Sequence, residues 1–336
     1  RYTRDLPLCT IAPAWSLAVA VYRTDGRFLP DGDSRSGGGC SEVTALDPAT
    51  GKRGKQRDPQ DPVERPSGGQ RQGDAELGTR LLGDGTYLTT TGRHLLTTWR
   101  SDLVQTMEYG QLPAMVNPEK QPRTGCTYGS VAVAAGRIGV IERCPSEGDR
   151  LTVYKATNVD NKADEPAVVF SSLVEGAGAR VVALSDQRVA IALPDPSRLV
   201  VFDDQGAQQA SYPLDLPTQD LRGDPDGLVV PTARLVVPAG QGPGAVYWYT
   251  GSRTIALDGA ELNPVWTAPD TLGPGTPFAG RMLVPVRDGI RVLDQATGEV
   301  VGTTPVDRSG YSGLVTMSTL GPMVLEQRGG DVVALR

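Results

Sequence analysis

One strand-and-turn pattern recurs along the chain. Val43–Gly51 and Ile290–Gly298 each contain a β-rich run, a Leu-Asp pair and then Ala-Thr-Gly. Weaker copies are Leu199–Gly206 and Thr254–Gly259, and Asp331–Arg336 repeats the strand without its turn. In such a turn Asp caps the backbone through its side chain, and Gly takes the positive φ that lets the chain reverse. A short unit repeated in this way predicts a fold built from small, similar sheets.

These copies divide the chain into seven units of roughly the length that a four-stranded propeller blade needs. The predicted turn residues are Asp47, Gly51, Asp203, Gly206, Asp258, Gly259, Asp294 and Gly298. The units are predicted to begin near Cys9, Ala75, Cys126, Ala179, Thr232, Gly273 and Gly313.

The last unit has sequence for only three strands, whereas Arg1–Leu8 is strand-like and belongs to no other unit. Pairing Arg1–Leu8 into the last blade would close the ring and remove an open edge. We therefore predict an all-β chain in which residues 1–336 form one seven-bladed β-propeller domain. Six or eight blades remain open, because the second unit is poorly marked.

Composition agrees with many short strands. The 41 glycines and 27 prolines are spread along the 336 residues, and apolar runs of four to seven residues alternate with them. Leu95–Tyr109 is the one segment with helical character, and it is equally compatible with two strands. With four Trp and four Phe, the core is expected to consist mainly of Val, Leu, Ala and Ile.

The four cysteines allow three pairings. Ser130–Ala134 and Arg137–Glu142 are predicted strands about a turn at Ala135–Gly136, which places Cys126 opposite Cys144. Cys9 and Cys40 would then pair by elimination. Disulfides persist in oxidising compartments, so this pairing predicts an extracytoplasmic protein. Four unrelated buried thiols are the alternative.

The net charge of −6 argues against nucleic acid as a partner, because phosphates require a basic surface. No apolar run reaches the roughly 18 residues that a membrane span needs. Because strand-like sequence follows Arg1 at once, we expect that an amino-terminal helix or lipid outside this sequence tethers the protein to a membrane.

The Val43–Gly51 and Ile290–Gly298 segments resemble the turn motif of the propellers named for pyrroloquinoline quinone (PQQ). That group includes quinone-dependent dehydrogenases and BamB-like assembly lipoproteins. The whole chain, with its cysteines, resembles extracytoplasmic propellers of the actinobacterial and mycobacterial cell envelope whose function is unassigned. The resemblance implies the fold, and by analogy a role in binding envelope proteins.

The residues do not favour the chemistry of the quinone enzymes, which the resemblance associates with a Trp floor, a vicinal disulfide and a calcium site. No two cysteines are adjacent here. His94 is the one histidine available to a catalytic triad, and its position beside a turn favours a structural role. The acidic pair Asp203/Asp204 falls on the repeated turn, where Asp has a structural task. We predict no catalytic residues and no cofactor.

Two Gly-rich loops place carboxylates two residues apart, at Asp31/Asp33 and Asp224/Asp226. Neither continues into a calcium loop with Glu at its twelfth position, so both are interpreted as turns and no metal site is predicted.

Candidate partner-binding residues are aromatic or lie in insertions. Trp99, Arg100 and Tyr109 combine aromatic and charged groups as interface anchors do, although packing of Trp99 and Tyr109 between blades is the favoured interpretation. Tyr247 and Tyr249 lie on the same side of one predicted strand, opposite Trp248, and could form a stacking surface. The long insertions Arg23–Gly39 and Lys52–Asp74 flank the first repeat motif.

The sequence thus predicts a non-catalytic, monomeric scaffold that binds one or more proteins at the cell envelope. A carbohydrate- or cell-wall-binding propeller that uses Tyr247, Tyr249 or Trp99 is the first alternative. A reduced PQQ-dependent dehydrogenase is the second.

Overall fold

The structure, a computed structural model, describes most of the chain. The described residues are 6–24, 39–53, 55–58, 61–66, 68–70, 80–110, 123, 125–158, 165–217, 219–221, 234–236, 244–329 and 331–335. Much of both predicted insertions, and the two Asp-rich loops at Asp31/Asp33 and Asp224/Asp226, lie outside them.

Seven antiparallel sheets follow one another along the chain, and they are the blades of a seven-bladed β-propeller. The predicted fold class is confirmed, and the described residues contain no helix. The chain divides into two compact units, of which the first comprises Arg1–Gly176 with Asp224–Val230 and the second comprises Ala177–Gly223 with Pro231–Arg336. The prediction of a single domain over residues 1–336 stays a prediction.

Three four-stranded sheets make up the first unit, in the orders β1-β2-β3-β6, β10-β9-β8-β7 and β11-β12-β13-β14. A separate hairpin, β4-β5, is inserted in the first blade between β3 and β6. The strands are β1 (Leu8–Ala14), β2 (Leu17–Thr24), β3 (Gly39–Leu46), β4 (Lys55–Asp58), β5 (Asp61–Pro66), β6 (Gly68–Gln70), β7 (Leu81–Gly83), β8 (Leu88–Thr90), β9 (Leu95–Trp99), β10 (Gln105–Gly110), β11 (Thr127–Ala134), β12 (Arg137–Arg143), β13 (Asp149–Asn158) and β14 (Pro166–Leu173).

The second unit has three four-stranded sheets and a last sheet of three described strands. Strand order follows chain order in each. The strands are β15 (Arg180–Leu184), β16 (Val189–Pro194), β17 (Ser197–Phe202), β18 (Gln208–Pro213), β19 (Arg234–Val236), β20 (Ala245–Tyr249), β21 (Thr254–Asp258), β22 (Pro264–Ala268), β23 (Thr276–Phe278), β24 (Arg281–Val286), β25 (Gly289–Asp294), β26 (Val300–Pro305), β27 (Val315–Leu320), β28 (Met323–Arg328) and β29 (Asp331–Leu335).

The amino-terminal segment differs in part from the prediction. Residues 1–5 of Arg1–Leu8, the predicted fourth strand of the last blade, lie outside the described residues. Pro7 and Leu8 belong instead to the first blade, because Leu8 pairs with Tyr22 and the Pro7 carbonyl accepts the Arg23 N–H at 2.8 Å.

Within each unit the core lies between successive blades. Val19 and Val43 of the first blade pack with Leu88 of the second, and Val246 and Ile255 of the fifth pack with Leu199 of the fourth. Each such side chain contributes about 1.5–3 kcal/mol when fully buried. Each of these blades therefore packs an apolar neighbour against a sheet face that would contact water if the sheet were isolated.

The hairpin predicted from the cysteine spacing is present as β11 and β12. Ala135 and Gly136 form its two-residue turn with φ of 50° and 69°, the left-handed conformations that tight hairpins need. A register shift between Tyr128 and Ser130 then brings Thr127 opposite Arg143. The predicted segment Leu95–Tyr109 likewise forms two strands, β9 and β10.

Candidate functional site

The repeated turns join the third strand of a blade to the sequence that forms its fourth. In the sixth blade, Oδ1 of Asp294 accepts the N–H groups of Ala296 and Thr297 at 3.0 and 3.2 Å, and Gly298 N–H returns to the Asp294 carbonyl. In the first blade Asp47 makes the same contacts at 2.8 Å, with Gly51 in the place of Gly298. The two glycines adopt φ of 66° and 71°. The predicted roles of these four residues are confirmed.

Backbone N–H groups of the turns lower the pKa of the Asp47 and Asp294 carboxyl groups below the usual value. Asp203 caps a turn that is one residue shorter, where its carboxylate accepts N–H groups of Gln205 and Ala207 at 2.9 Å and Gly206 has φ of 80°. These contacts likewise lower the Asp203 pKa. The acidic pair Asp203/Asp204 thus includes a structural turn residue, as predicted.

The turn at Asp258 corrects one prediction. Asp258 caps Ala260 and Glu261, but the residue with positive φ is Leu262, at 60°, and not Gly259. Leu262 N–H donates to the Asp258 carbonyl, as Gly298 N–H does to Asp294. Leu262 is fully buried among side chains of its own blade and the preceding one. This burial offsets the cost of a left-handed non-glycine residue.

Both predicted disulfides are present. Cys9 pairs with Cys40 at a Cα–Cα distance of 6.1 Å, and Cys126 pairs with Cys144 at 4.2 Å. The described chain therefore contains no free cysteine. Cys9–Cys40 joins the beginning of β1 to the beginning of β3, which follows the first insertion.

Three of the predicted partner-binding residues prove to be core residues. Trp99 and Tyr109 are 1% and 0% exposed, and Trp99 Nε1–H donates to the Thr90 hydroxyl at 3.0 Å. Tyr247 is 3% exposed and packs against Trp266 at a ring distance of 5.7 Å. Burial, together with the nearby Asp294 carboxylate, raises the pKa of Tyr247 to about 12. None of the three presents a surface to a partner.

Tyr249 and Arg100 are more accessible. Tyr249 is half-buried, and its hydroxyl donates to the Gly251 carbonyl in its own turn. Arg100 is exposed and donates through Nε to both carboxylate oxygens of Asp102, at 2.7 and 2.9 Å. Their partner-binding role stays a prediction.

Groups suited to catalysis or metal binding are not gathered in one place in the described part of the chain. His94 is half-buried just before β9. No cluster of three or more His, Cys, Asp or Glu side chains occurs there in a metal-binding arrangement. The described residues also contain no apolar helix of the length that a bilayer crossing requires.

The structure reveals buried charged groups that the sequence analysis missed. In the last blade, Glu326 is fully buried and accepts from Arg308 at 2.5 and 3.0 Å and from Arg328 at 2.8 and 2.9 Å. Arg308 also donates to the carbonyls of Val286 and Gly289. These bonds tie the last two blades together. A carboxylate inside the apolar strand sequence Met-Val-Leu-Glu was the available signal.

A second buried carboxylate, Glu142, lies in the third blade. It accepts from Arg123 at 2.7 Å, from the Thr152 hydroxyl at 2.8 Å and from the Tyr154 hydroxyl at 2.5 Å. Burial raises the pKa of Tyr154, and the neighbouring Glu142 carboxylate raises it further. Tyr109 packs against Tyr154 with the two rings tilted, and its hydroxyl donates to the Arg123 carbonyl. Every member of this cluster is bound by its neighbours, as in a structural network.

The remaining feature is a recess in the first unit, which we name the Trp15 cleft. It encloses about 250 Å³ between the turns of the first and second blades. Its lining residues are Pro13, Ala14, Trp15, Ser16, Gly83, Gly85 and Tyr87. None of these side chains carries a charge at neutral pH. Trp15 and Tyr87, which the sequence analysis did not single out, are both partly exposed.

Trp15 is held in place by its neighbours. Its Nε1–H donates to the Thr86 carbonyl of the second blade at 3.0 Å. That turn is fixed in its own right, since Asp84 accepts the N–H groups of Thr86, Tyr87 and Gly136 at 2.7–2.9 Å. The cleft therefore rests on three connected hairpin turns, one from each blade of the first unit.

The comparisons with known proteins concern the fold alone. No protein-family model and no curated protein matches the sequence. BamB from Moraxella catarrhalis is 15% identical over 99% of this chain and 84% of that chain, with a TM-score of 0.48. The dihydro-heme d1 dehydrogenase NirN, in complex with DHE, is 15% identical over 97% of this chain, with a TM-score of 0.51. This chain is similar to NirN in fold. It spans 62% of NirN's length, and at this identity the likeness shows the fold alone.

Proposed function

We propose that this chain is a non-catalytic, extracytoplasmic β-propeller that binds a protein at the cell envelope. One observation carries the proposal. In the described residues a neutral, aromatic cleft rests on fixed turns, whereas the buried acids Glu142 and Glu326 are engaged by arginines of the same blade or its connecting loops. Such a site supports binding rather than proton transfer.

The two disulfides support the proposed compartment, because disulfides persist in an oxidising environment. The turn motif adds the resemblance to envelope propellers of the PQQ-named group. The membrane tether and the monomeric state remain predictions.

The test uses the full-length, tagged protein in its own host. Intact cells are treated with a membrane-impermeant crosslinker, and the crosslinked species are purified from detergent-solubilised envelopes and identified by mass spectrometry. We expect one envelope protein at near-stoichiometric yield, and binding of the purified pair by calorimetry. Recovery of the protein in the cytosolic fraction with four alkylatable thiols would contradict the proposed compartment. An envelope preparation without a reproducible partner would contradict the scaffold role.

The enzymatic alternative has a direct test. The purified chain is incubated with pyrroloquinoline quinone and Ca²⁺, and dye-linked oxidation of alcohols and sugars is followed. We expect no turnover above the cofactor alone and no shift in the quinone absorbance. Saturable turnover would overturn the non-catalytic assignment.

A further inference from the structure

The Trp15 cleft contains an unusual backbone conformation. Trp15 and Ser16 form the two-residue turn between β1 and β2, with φ of 48° and 63°. The corresponding turns of the third and sixth blades are Ala135–Gly136 and Ala279–Gly280, with the same pair of left-handed conformations. Those turns place Gly at the second position, where it adopts such a φ without cost. Only the first of these three turns places a large aromatic residue and a serine there.

Strain retained at a surface turn indicates a role for the side chain that it positions. The left-handed Trp15 backbone directs the indole across to the next blade, where Nε1–H is anchored on the Thr86 carbonyl. The turn from Asp84 to Tyr87 is held by three N–H bonds to one carboxylate. The aromatic wall is thus preorganised, which lowers the entropic cost of binding.

The chemistry of the lining selects the ligand. The lining suits an uncharged ligand group, because none of its side chains is ionised at neutral pH. The Ser16 hydroxyl donates to the Trp15 carbonyl. A sugar ring carries several hydroxyl groups on its edges, and the side chains of the cleft offer only the hydroxyls of Ser16 and Tyr87 to replace the water that these groups would lose. A proline ring has no donor to satisfy, and extended proline-containing segments dock on aromatic surfaces with little further ordering.

The volume of the Trp15 cleft also favours a proline-containing segment. About 250 Å³ is below the roughly 300–1,000 Å³ of sites that enclose a drug-sized molecule, so the cleft suits one or two rings of a longer segment. We propose that the Trp15 cleft binds a proline-containing extended segment of the partner protein. This inference rests on the proposed scaffold function and identifies the chemistry of the partner.

The test uses the purified chain and a capped nonaproline peptide. Gly83→Glu places a charged side chain on the wall of the cleft. Gly83 is exposed, and an added Cβ would contact only the Leu88 side chain at 3.7 Å and the Tyr87 carbonyl at 3.9 Å, so the blade tolerates the change. Gly302→Glu is the matched control, because Gly302 also lies in a strand and an added Cβ there meets nothing within 4 Å.

We expect saturable binding of nonaproline to the wild type below about 1 mM, at least tenfold weaker binding by Gly83→Glu, and binding by Gly302→Glu within twofold of the wild type. Thermal unfolding of each variant checks its fold. A second measurement needs no variant. Trp99, Trp248 and Trp266 are at most 9% exposed, so the peptide should protect Trp15, the accessible tryptophan, from acrylamide quenching.

Three results would overturn the inference: no nonaproline binding, equal binding by Gly83→Glu and the wild type, or unchanged quenching at saturating peptide. Binding of chitohexaose in place of nonaproline would overturn it in favour of a glycan ligand. A stoichiometric envelope partner recovered from cells, combined with any of these results, would leave the scaffold function standing and refute only the cleft assignment.

Discussion

Turn positions with a left-handed φ are occupied for two different reasons. Glycine adopts this conformation easily, whereas another residue is held in it by the packing of its side chain. Gly298 takes φ of 71° directly beneath a tryptophan, since an added Cβ would lie 2.5 Å from Cγ of Trp266. Trp266 also donates through Nε1 to the Gln295 carbonyl of the same turn. Leu262 solves the corresponding problem in the preceding blade by burying its side chain. The same backbone conformation is therefore kept for different reasons at the two sites.

Alanine substitutions separate the two constraints on such a glycine. Gly280 also has φ of 74°, but an added Cβ meets nothing within 4 Å. We expect Gly280→Ala to lower the free energy of unfolding by about 1–2 kcal/mol, the cost of a left-handed alanine. Gly298→Ala should lose a further 1–3 kcal/mol through the clash with Trp266. Urea unfolding measures both; equal losses would show that Trp266 moves aside without cost.

The capping aspartates make stability depend on acid. The folded-state pKa values of Asp47, Asp203 and Asp294 lie below 3.8, the ordinary value that they regain on unfolding. Their contribution is therefore present above about pH 4 and is lost as the pH falls through the folded-state values. We expect Asp294→Asn to show a smaller drop in melting temperature than the wild type between pH 5 and pH 2.5.

Asp204→Asn is the control for this comparison, because that carboxylate accepts from the Gln205 side chain and not from the N–H groups of a turn. It should follow the wild type across the same range. A melting curve of Asp294→Asn that parallels the wild type would show that the cap contributes equally when protonated.

At the scale of strands, the effect of a charged side chain on stability depends on whether it is buried or exposed. Glu326 lies in the middle strand of the last sheet and holds Arg308 and Arg328, all with side chains at most 13% exposed. Asp215 pairs with Arg253 at 3.4 Å on the surface, where its side chain is fully exposed. Removing a buried acid leaves uncompensated positive charge in the core, whereas removing a surface acid leaves a hydrated one.

We expect Glu326→Gln to lower the free energy of unfolding by about 3 kcal/mol, because the two arginines lose their counter-charge inside the blade. Asp215→Asn should change it by no more than about 1 kcal/mol. Chemical unfolding at neutral pH checks both. Similar small effects would mean that water reaches Arg308 in the variant.

The repeat turns and the spacing of Cys126 and Cys144 were sufficient to predict the turn strands and one disulfide, because these depend on residues close in sequence. The Cys9–Cys40 pair then followed by elimination. Trp99, Tyr109 and Tyr247, three of the candidate partner-binding aromatics, are buried for a physical reason. Alternation along a strand separates its two faces, but both faces of an inner blade strand pack on other blades. Tyr247 thus packs with the sixth blade and Trp248 with the fourth. The Trp15 cleft was missed because a left-handed tryptophan depends on contacts with the next blade.

At the scale of the whole chain, the two disulfides add covalent links to the first unit. They close segments separated by 31 and 18 residues. Restricting the unfolded chain over such lengths contributes about 3.7 and about 3.2 kcal/mol in the loop-entropy description.

Replacing either pair by serine should therefore lower the free energy of unfolding by about 2–4 kcal/mol, with the Cys9–Cys40 pair at least as important as Cys126–Cys144. Unfolding of both double variants in guanidinium checks this expectation. The intact mass of the non-reduced protein should increase by about 4 Da on full reduction, since each disulfide takes up two hydrogens. An unchanged mass would contradict both pairings.

The Cys9–Cys40 bond also secures the strand that follows residues 25–38. It joins the beginning of β1 to the beginning of β3, which directly follows residues 25–38. The end of β2, on the other side of that segment, is held by strand pairing, in which Thr24 lies opposite Gly39. A foreign epitope or binding loop spliced between Thr24 and Gly39 would therefore be presented from one end held by strand pairing and one end beside a covalent link.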